Sequence, residues 1–159
     1  MEIFTYFVFA RALHVIGVVL WIGGVAFVTT VLIPSLKNIN DSTNKLELFE
    51  QLEGKFSFQA KLATLVTGIS GFYMVEVMNA WGRYQQLQFW WMHLMTLIWF
   101  IFTLVLFVLE PLFLHQWFHE QAVKNNAKTF SQVHTIHKIL HALSLLAVLG
   151  AVAGAHGLY

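Results

Sequence analysis

Histidine is the residue type in this chain whose number and placement point to chemistry. The sequence has eight histidines and no cysteine in 159 residues. The lack of cysteine excludes disulfides, thiolate metal sites and cysteine-ligated iron–sulfur clusters. His14, His93 and His156 each lie near one end of a long apolar run. Because haem iron can take one imidazole on each face of the macrocycle, these three histidines are candidate haem ligands.

The elements that must position these histidines are membrane helices. The chain is 58% hydrophobic and only 11% charged, whereas soluble domains carry about 25% charged residues. Uncharged apolar runs of about 20 residues are candidates for spanning a bilayer. Three clear candidates are Val15 to Ile33, Phe89 to Leu109 and Ile139 to Tyr159, and a weaker fourth, Leu62 to Trp81, contains Glu76.

The pattern predicts an all-α protein, an integral membrane four-helix antiparallel bundle in which residues 1–159 form a single transmembrane domain. Pro34 should end the first helix, because proline cannot supply the next backbone N–H. Lys45 to Phe56 should form a short amphipathic extension at the membrane surface. Pro111 should kink the third helix beside Glu110. The predicted helices cover approximately residues 3–34, 57–80, 88–118 and 131–157.

The distribution of lysine and arginine predicts the orientation of these helices. We call the side that holds the N-terminus side A and the opposite side side B. Side A receives Arg11 and Arg83, and side B receives Lys37, Lys45, Lys55, Lys61, Lys124, Lys128 and Lys138. Basic residues are enriched on the cytoplasmic side of membrane proteins. The expected location is therefore the bacterial inner membrane, with several passes and both termini periplasmic.

A haem site on side A follows from the predicted depths. His14, His93 and His156 should lie within about one or two helical turns of the same depth. Helices one and three are diagonal in a simple antiparallel bundle, so their histidines can face each other. Arg11 lies one turn before His14 and suits a haem propionate. The flat slot would be lined by glycines, namely Gly17, Gly24, Gly68, Gly71, Gly150 and Gly154.

Each of these features also has a plainer explanation. A histidine near a membrane interface often only hydrogen-bonds the backbone or a headgroup, and small residues let helices pack closely. Ionisable residues inside spans are nevertheless functional candidates by default. On helix two, Lys61 and Glu76 are about 22 Å apart along the helix, so they do not pair, and Lys61 is expected to extend to side B.

A second group of histidines lies on side B. His115, His137 and His141 are expected to be deeper than His119 and His134, which we expect to be solvated. Imidazoles four residues apart on a helix can chelate zinc or copper. Imidazoles on different helices can instead ligate a second haem, which would place one haem near each membrane surface. The residues leave both alternatives open.

Three stretches of the sequence resemble known families. "ALHVIGVVLWIGGVAF", "FVLEPLFLH" and "GAVAGAHG" resemble the small CopD-domain (copper-resistance-D-like) bacterial membrane proteins, across all four helices. The opening stretch is also similar to the oxygen-independent protoporphyrinogen oxidase family of four-helix proteins, which bind haem b, with His14 at the position of the first-helix histidine. The first resemblance implies copper handling, and the second implies haem and an oxidase activity.

Taken together, the sequence predicts a membrane b-type cytochrome-like protein for electron transfer at the inner membrane. It would hold one haem b or two and exchange electrons with a quinone or another redox partner. The alternatives are a copper-handling protein and a protoporphyrinogen oxidase-like enzyme. The bilayer is the expected environment, and the net charge of +1 argues against nucleic acid. A homodimer is one of the open oligomeric states.

Overall fold

The computed structural model describes residues 2–39 and 41–157, and all regular structure in this part of the chain is helical, without a strand. This confirms the prediction of an all-α protein. Helices suit a chain in lipid because they satisfy their backbone hydrogen bonds internally. The α-helices are α1 (Glu2–Phe27), α2 (Ile33–Lys37), α3 (Ser42–Val77), α4 (Trp90–Leu104), α5 (His115–Lys124) and α6 (Asn126–Ala155).

The sequence suggested that the first helix ends at Pro34, but the helical structure continues through this residue. A π-helical turn, Val28–Leu32, joins α1 to α2, and Pro34 is the second residue of α2. Proline is tolerated in the first turn of a helix. The Ile33 N–H donates to the Val28 carbonyl, in the spacing of a π-helix. The same spacing would pair residue 34 with the Thr29 carbonyl, but Pro34 has no N–H to donate.

His134 supplies the hydrogen bond that Pro34 cannot make. Its Nε2 lies 3.0 Å from the Thr29 carbonyl oxygen, and its Nδ1 lies 2.9 Å from Lys37 Nζ. A carbonyl only accepts hydrogen bonds, so Nε2 carries the hydrogen and Nδ1 accepts from Lys37. His134 is buried, contrary to the prediction that it is solvated. It fixes the π-helical turn against α6.

α3 is one helix of 36 residues, about 54 Å long. The predicted amphipathic extension, Lys45 to Phe56, is not a separate element, because this segment continues directly into the rest of α3. Its location at a membrane surface stays a prediction. Leu46 and Phe49 are buried. They belong to an apolar core with side chains of α2, α5 and α6, which holds this part of α3 against the other helices.

This first core, at the side B end, is built around three mutually contacting aromatic rings. The ring centroids of Phe49 and Phe118 are 5.0 Å apart, those of Phe49 and Phe130 5.2 Å, and those of Phe118 and Phe130 5.6 Å. Lys45 Nζ lies 5.1 Å from the centroid of the Phe130 ring, in a cation–π arrangement. These contacts hold α3, α5 and α6 together.

A second π-helical segment, Val105–Leu114, joins α4 to α5 and contains Pro111. The predicted disturbance of the third helix at Pro111 therefore takes the form of a widened helical segment. Between α3 and α4 the chain makes two short 3₁₀ turns, Ala80–Gln85 and Leu87–Phe89. Asn79 precedes them at φ 49°, a left-handed conformation that asparagine tolerates better than most residues.

The helices pack as neighbours in two main pairs, α1 with α3 and α4 with α6. α1 and α3 run antiparallel, because Gly17 lies against Thr67 while Gly24 lies against Phe56. A second apolar core forms where the pairs meet. There the Trp21 and Phe102 rings meet edge to face, with centroids 5.0 Å apart. This contact between the two rings joins α1 to α4.

Three helical stretches in the described chain are long and apolar enough to cross a membrane: Phe4–Lys37, Leu87–Phe113 and Asn126–Ala155. This supports the prediction of a membrane protein. α3 is not among the three, although the sequence suggested a weaker span from Leu62 to Trp81. α3 in fact ends at Val77, before Trp81 is reached.

The aromatic core predicts a large and local stability effect. Phe130→Ala removes a ring that is only 1% exposed, and such deletions cost about 3–5 kcal/mol. Phe58→Ala is the matched control, because the Phe58 ring is 74% exposed, and it should cost about 0.5 kcal/mol or less. Thermal unfolding of both variants in one detergent measures the difference. Equal stabilities would contradict the assignment of the core.

Candidate functional site

His14 is the one predicted side A histidine that the structure places against the helix interior. Its Nδ1 lies 2.9 Å from the Thr67 carbonyl oxygen and 3.3 Å from Ser70 Oγ. The ring is half-buried, and its Cε1 would be 3.1 Å from a side-chain carbon at Gly71. Glycine at position 71 thus lets the imidazole lie on the backbone of α3.

The bond to Thr67 determines which nitrogen of His14 is available. The Thr67 carbonyl can only accept, so Nδ1 carries the hydrogen, and Nε2 keeps its lone pair. No described residue makes a hydrogen bond to Nε2. A metal-bound histidine almost always donates its other N–H to a carbonyl, a carboxylate or water. His14 therefore already has the hydrogen-bonded form of a ligand.

His93 lies in different surroundings. Its Nε2 is 2.9 Å from the Tyr84 carbonyl oxygen and its Nδ1 is 3.3 Å from the Phe89 carbonyl oxygen. Both ring nitrogens thus face the backbone. His93 also begins the exposed stripe of α4 that continues through Leu97 and Phe100. The structure does not turn it toward His14.

His156 and Arg11 are both exposed. His156 directly follows α6, and its Nδ1 donates to the Val152 carbonyl oxygen at 2.7 Å, which leaves Nε2 uncommitted in the described contacts. No described hydrogen bond or ion pair joins either residue to His14. His93 lies in the first turn of α4 and His156 directly follows α6, whereas His14 lies in the middle of α1. The common membrane depth of the three histidines stays a prediction, and within the described residues they do not form one cluster.

The predicted slot of glycines is occupied by side chains. A Cβ added at Gly24 would meet the Phe56 ring, and one at Gly68 would meet the Trp99 ring. At Gly150 and Gly154 it would meet Trp90 and Trp91. The glycines therefore admit aromatic rings between helices, which is the plainer of their two explanations. Gly71, where His14 lies, is the one that serves a candidate ligand.

On side B the histidines make separate contacts. His137 Nδ1 donates to the Val133 carbonyl oxygen at 2.9 Å, and His119 Nδ1 pairs with Glu50 Oε1 at 2.9 Å. The buried His141 Nδ1 has no hydrogen-bond partner among the described residues. The side chain of His115 lies outside the described residues. Within the described residues, no three side chains of the metal-binding types come close enough to hold a metal ion.

Sequence reasoning missed a polar cluster in the interior, formed by Ser57, Lys61 and Glu110. Ser57 Oγ lies 2.6 Å from both carboxylate oxygens of Glu110, and Lys61 Nζ lies 3.2 Å from Glu110 Oε1. Lys61 thus points to a partner on the neighbouring helix instead of extending to side B. The available signal was Glu110 itself, the only acidic residue between Phe89 and Glu120.

Glu110 lies inside the π-helical segment, one residue before Pro111. Segments of π-helix are rare and occur frequently at functional sites. The carboxylate, the ammonium group and the hydroxyl together form a neutral group that can bind and release a proton, or hydrogen-bond a polar ligand. Ionisable groups at such depth are costly unless they are paired.

No protein-family model matches this chain, and no curated protein and no solved structure matches it either. The resemblances to CopD-domain proteins and to the porphyrinogen oxidase family therefore stay predictions.

The Lys61–Glu110 pair predicts a non-additive effect on stability. Lys61→Met leaves the partly buried carboxylate without its cation and should cost about 1–3 kcal/mol. Adding Glu110→Gln should recover at least half of that loss, because no unpaired charge remains. Glu50→Gln, which breaks the exposed contact with His119, should cost no more than about 1 kcal/mol. Thermal unfolding of the single and double variants measures the coupling, and strictly additive losses would contradict it.

Proposed function

We propose that the chain is an inner-membrane haem protein, an antiparallel four-helix bundle that transfers electrons. The fourth span would be α3. Its exposed residues between positions 58 and 72 are apolar with the exception of Gln59, namely Phe58, Leu62, Leu65, Ile69 and Phe72. The hydroxyl-bearing residues of the same stretch are buried, which is the arrangement expected where the surroundings are lipid. α3 also runs along the spanning helix α1.

The proposed orientation has side B in the cytoplasm and both termini in the periplasm. Pairing of Lys61 with Glu110 removes one lysine from the side B total, but the excess over Arg11 and Arg83 remains large. The charged first third of α3 and the loop before α6 would both lie beyond the membrane on that side. Basic residues near the ends of spans favour the cytoplasm.

A single observation carries the haem proposal: His14 holds its Nδ1–H on the Thr67 carbonyl and keeps its Nε2 lone pair. His14 would ligate the iron, and the haem would supply one-electron redox chemistry. His93 or His156 would supply the second imidazole for the iron. His156 has the uncommitted nitrogen, whereas His93 would have to leave two backbone carbonyls.

The other side chains would play supporting roles. Arg11 lies one turn before His14 on the wet side, where its charge would steady a propionate. A second haem on side B would use His137, whose Nε2 makes no hydrogen bond among the described residues, together with His141 or His115. The electron donor would be a membrane pool such as quinol.

The topology can be tested by cysteine labelling, because the chain has no cysteine of its own. Glu47→Cys, Gln85→Cys and Ala127→Cys each place one thiol at an exposed position. In spheroplasts, a membrane-impermeant maleimide should label only Gln85→Cys, and all three variants should react after permeabilisation. If α3 does not cross the membrane, Glu47→Cys and Gln85→Cys must label alike, whichever way the protein is inserted.

The haem proposal predicts that the protein purified from a haem-replete host is red and shows a low-spin bis-histidine spectrum. His14→Gly should lose this haem, because it removes the axial nitrogen, and added imidazole should restore the spectrum. Arg11→Ala should retain haem and lower its midpoint potential, because a nearby cation favours the reduced state. His119→Ala, at an exposed histidine, is the control. A colourless wild-type protein, or a His14→Gly variant with an unchanged spectrum, would contradict the proposal.

A further inference from the structure

The inward face of α3 carries a continuous polar stripe. Consecutive members are four or three residues apart, so each lies beside the next and the stripe winds gradually around the helix. The hydroxyl-bearing members are all buried, with Thr64 fully inaccessible and Thr67 5% exposed. The stripe consists of Ser57, Lys61, Thr64, Thr67 and Ser70. A row of hydroxyls between two apolar layers needs an explanation beyond packing.

Each end of the stripe contacts a side chain from another helix. Ser57 and Lys61 hold the Glu110 carboxylate at one end. At the other end, His14 lies on the Thr67 carbonyl and on Ser70 Oγ. The ends are 13 residues apart, which is about 20 Å along the helix. This covers most of the hydrocarbon thickness of a bilayer, about 30 Å.

The middle of the stripe contains hydroxyls without partners. The Oγ1 atoms of Thr64 and Thr67 are buried and make no hydrogen bond to a described residue. Nearby, the Trp99 indole N–H donates to the Thr64 carbonyl at 2.9 Å and leaves the hydroxyl unused. Buried polar groups are nearly always paired, so each exception calls for a reason. A hydroxyl both donates and accepts, which suits a group that passes protons.

We propose that this face of α3 is a proton path through the membrane, with Glu110 as its proton-binding carboxylate. Hydroxyls three residues apart are about 5 Å from each other, so single water molecules would bridge them. Each transfer breaks one O–H or N–H bond and forms another. One proton therefore enters at the Glu110 end for each proton that leaves at the Ser70 end, or the reverse.

Few charged groups surround Glu110. Lys61 is the charged side chain that contacts it in the described structure. On α5, His119 is turned to Glu50, and on α6, His137 bonds the Val133 carbonyl. α4 has no charged residue besides its histidine, His93, which lies at its other end. The Glu110 carboxylate thus accepts hydrogen bonds from Lys61 and from the Ser57 hydroxyl.

Proton flux into liposomes tests the path directly. The full-length protein is reconstituted with the pH-sensitive dye pyranine inside, and a potassium gradient with valinomycin sets the membrane potential. The wild type should pass protons well above protein-free liposomes. Glu110→Gln should reduce the flux at least tenfold, and Thr64→Val/Thr67→Val should reduce it about as much. Thr135→Val is the control, because that hydroxyl is exposed and already bonds the Ser131 carbonyl.

The double threonine variant keeps the test valid if Glu110→Gln fails to fold, since it leaves the ion pair intact. Wild-type flux equal to that of empty liposomes would overturn the proposal. So would a double variant that conducts like Thr135→Val. The inference rests on the proposed membrane topology but not on haem. A haem-free protein that conducts would reject only the haem proposal, and a red protein that does not conduct would reject only the proton path.

Discussion

The constraint on which this structure depends is that polar side chains lie between helices, where many of the described ones find hydrogen-bond partners and a few, such as the hydroxyls of Thr64 and Thr67, do not. α3 shows this most clearly. Phe58, Ile69 and their neighbours face outward, whereas buried Ser57 and Thr64 face the other helices. In a soluble protein the usual arrangement is the reverse, with apolar side chains facing the core and polar side chains facing water. In lipid the outward face costs nothing, and the inward polar groups gain from pairing across helices. The cross-helix bonds from Ser57 to Glu110 and from His14 to Thr67 are the result.

The two π-helical segments follow from the same constraint. Proline has no backbone N–H, so a carbonyl of the preceding turn loses its hydrogen-bond donor. A carbonyl without a hydrogen bond in an apolar interior destabilises the structure by roughly several kcal/mol. At Pro34 the Thr29 carbonyl instead accepts a hydrogen bond from the His134 side chain. Near Pro111 the widened helix carries Glu110, which α3 holds with a hydroxyl and an ammonium group. At Pro34 a side chain from another helix bonds the irregular backbone itself, whereas near Pro111 the side chains of α3 bond the carboxylate that the irregular segment carries.

The helical class could be predicted from the sequence, because long apolar runs favour helices that span a bilayer. Depth in a membrane is estimated by counting residues along such a run, because the rise per residue is fixed, and the depths of His14 and His93 stay predictions. The rotation of each helix about its axis does not follow, since it depends on which faces meet. His93, for example, begins an exposed stripe. Lys61 and Glu110 meet across 49 residues of sequence, and no local pattern signals such a pairing.

The haem proposal and the proton-path proposal both involve His14. The size of the attraction between an electron on the haem and a proton on the path shows why the hydroxyls between Glu110 and His14 matter. An electron on a haem at His14 would attract a proton at Glu110 across about 20 Å. At an effective dielectric constant of about 20 this attraction is about 0.8 kcal/mol, or about a fourfold change in proton occupancy. A proton within about 5 Å of His14 would gain about 3 kcal/mol under the same assumption. Coupling between the two charges would therefore be weak unless the proton travels along α3 to the His14 end. The hydroxyls of Thr64 and Thr67 occupy the stretch over which it would have to move.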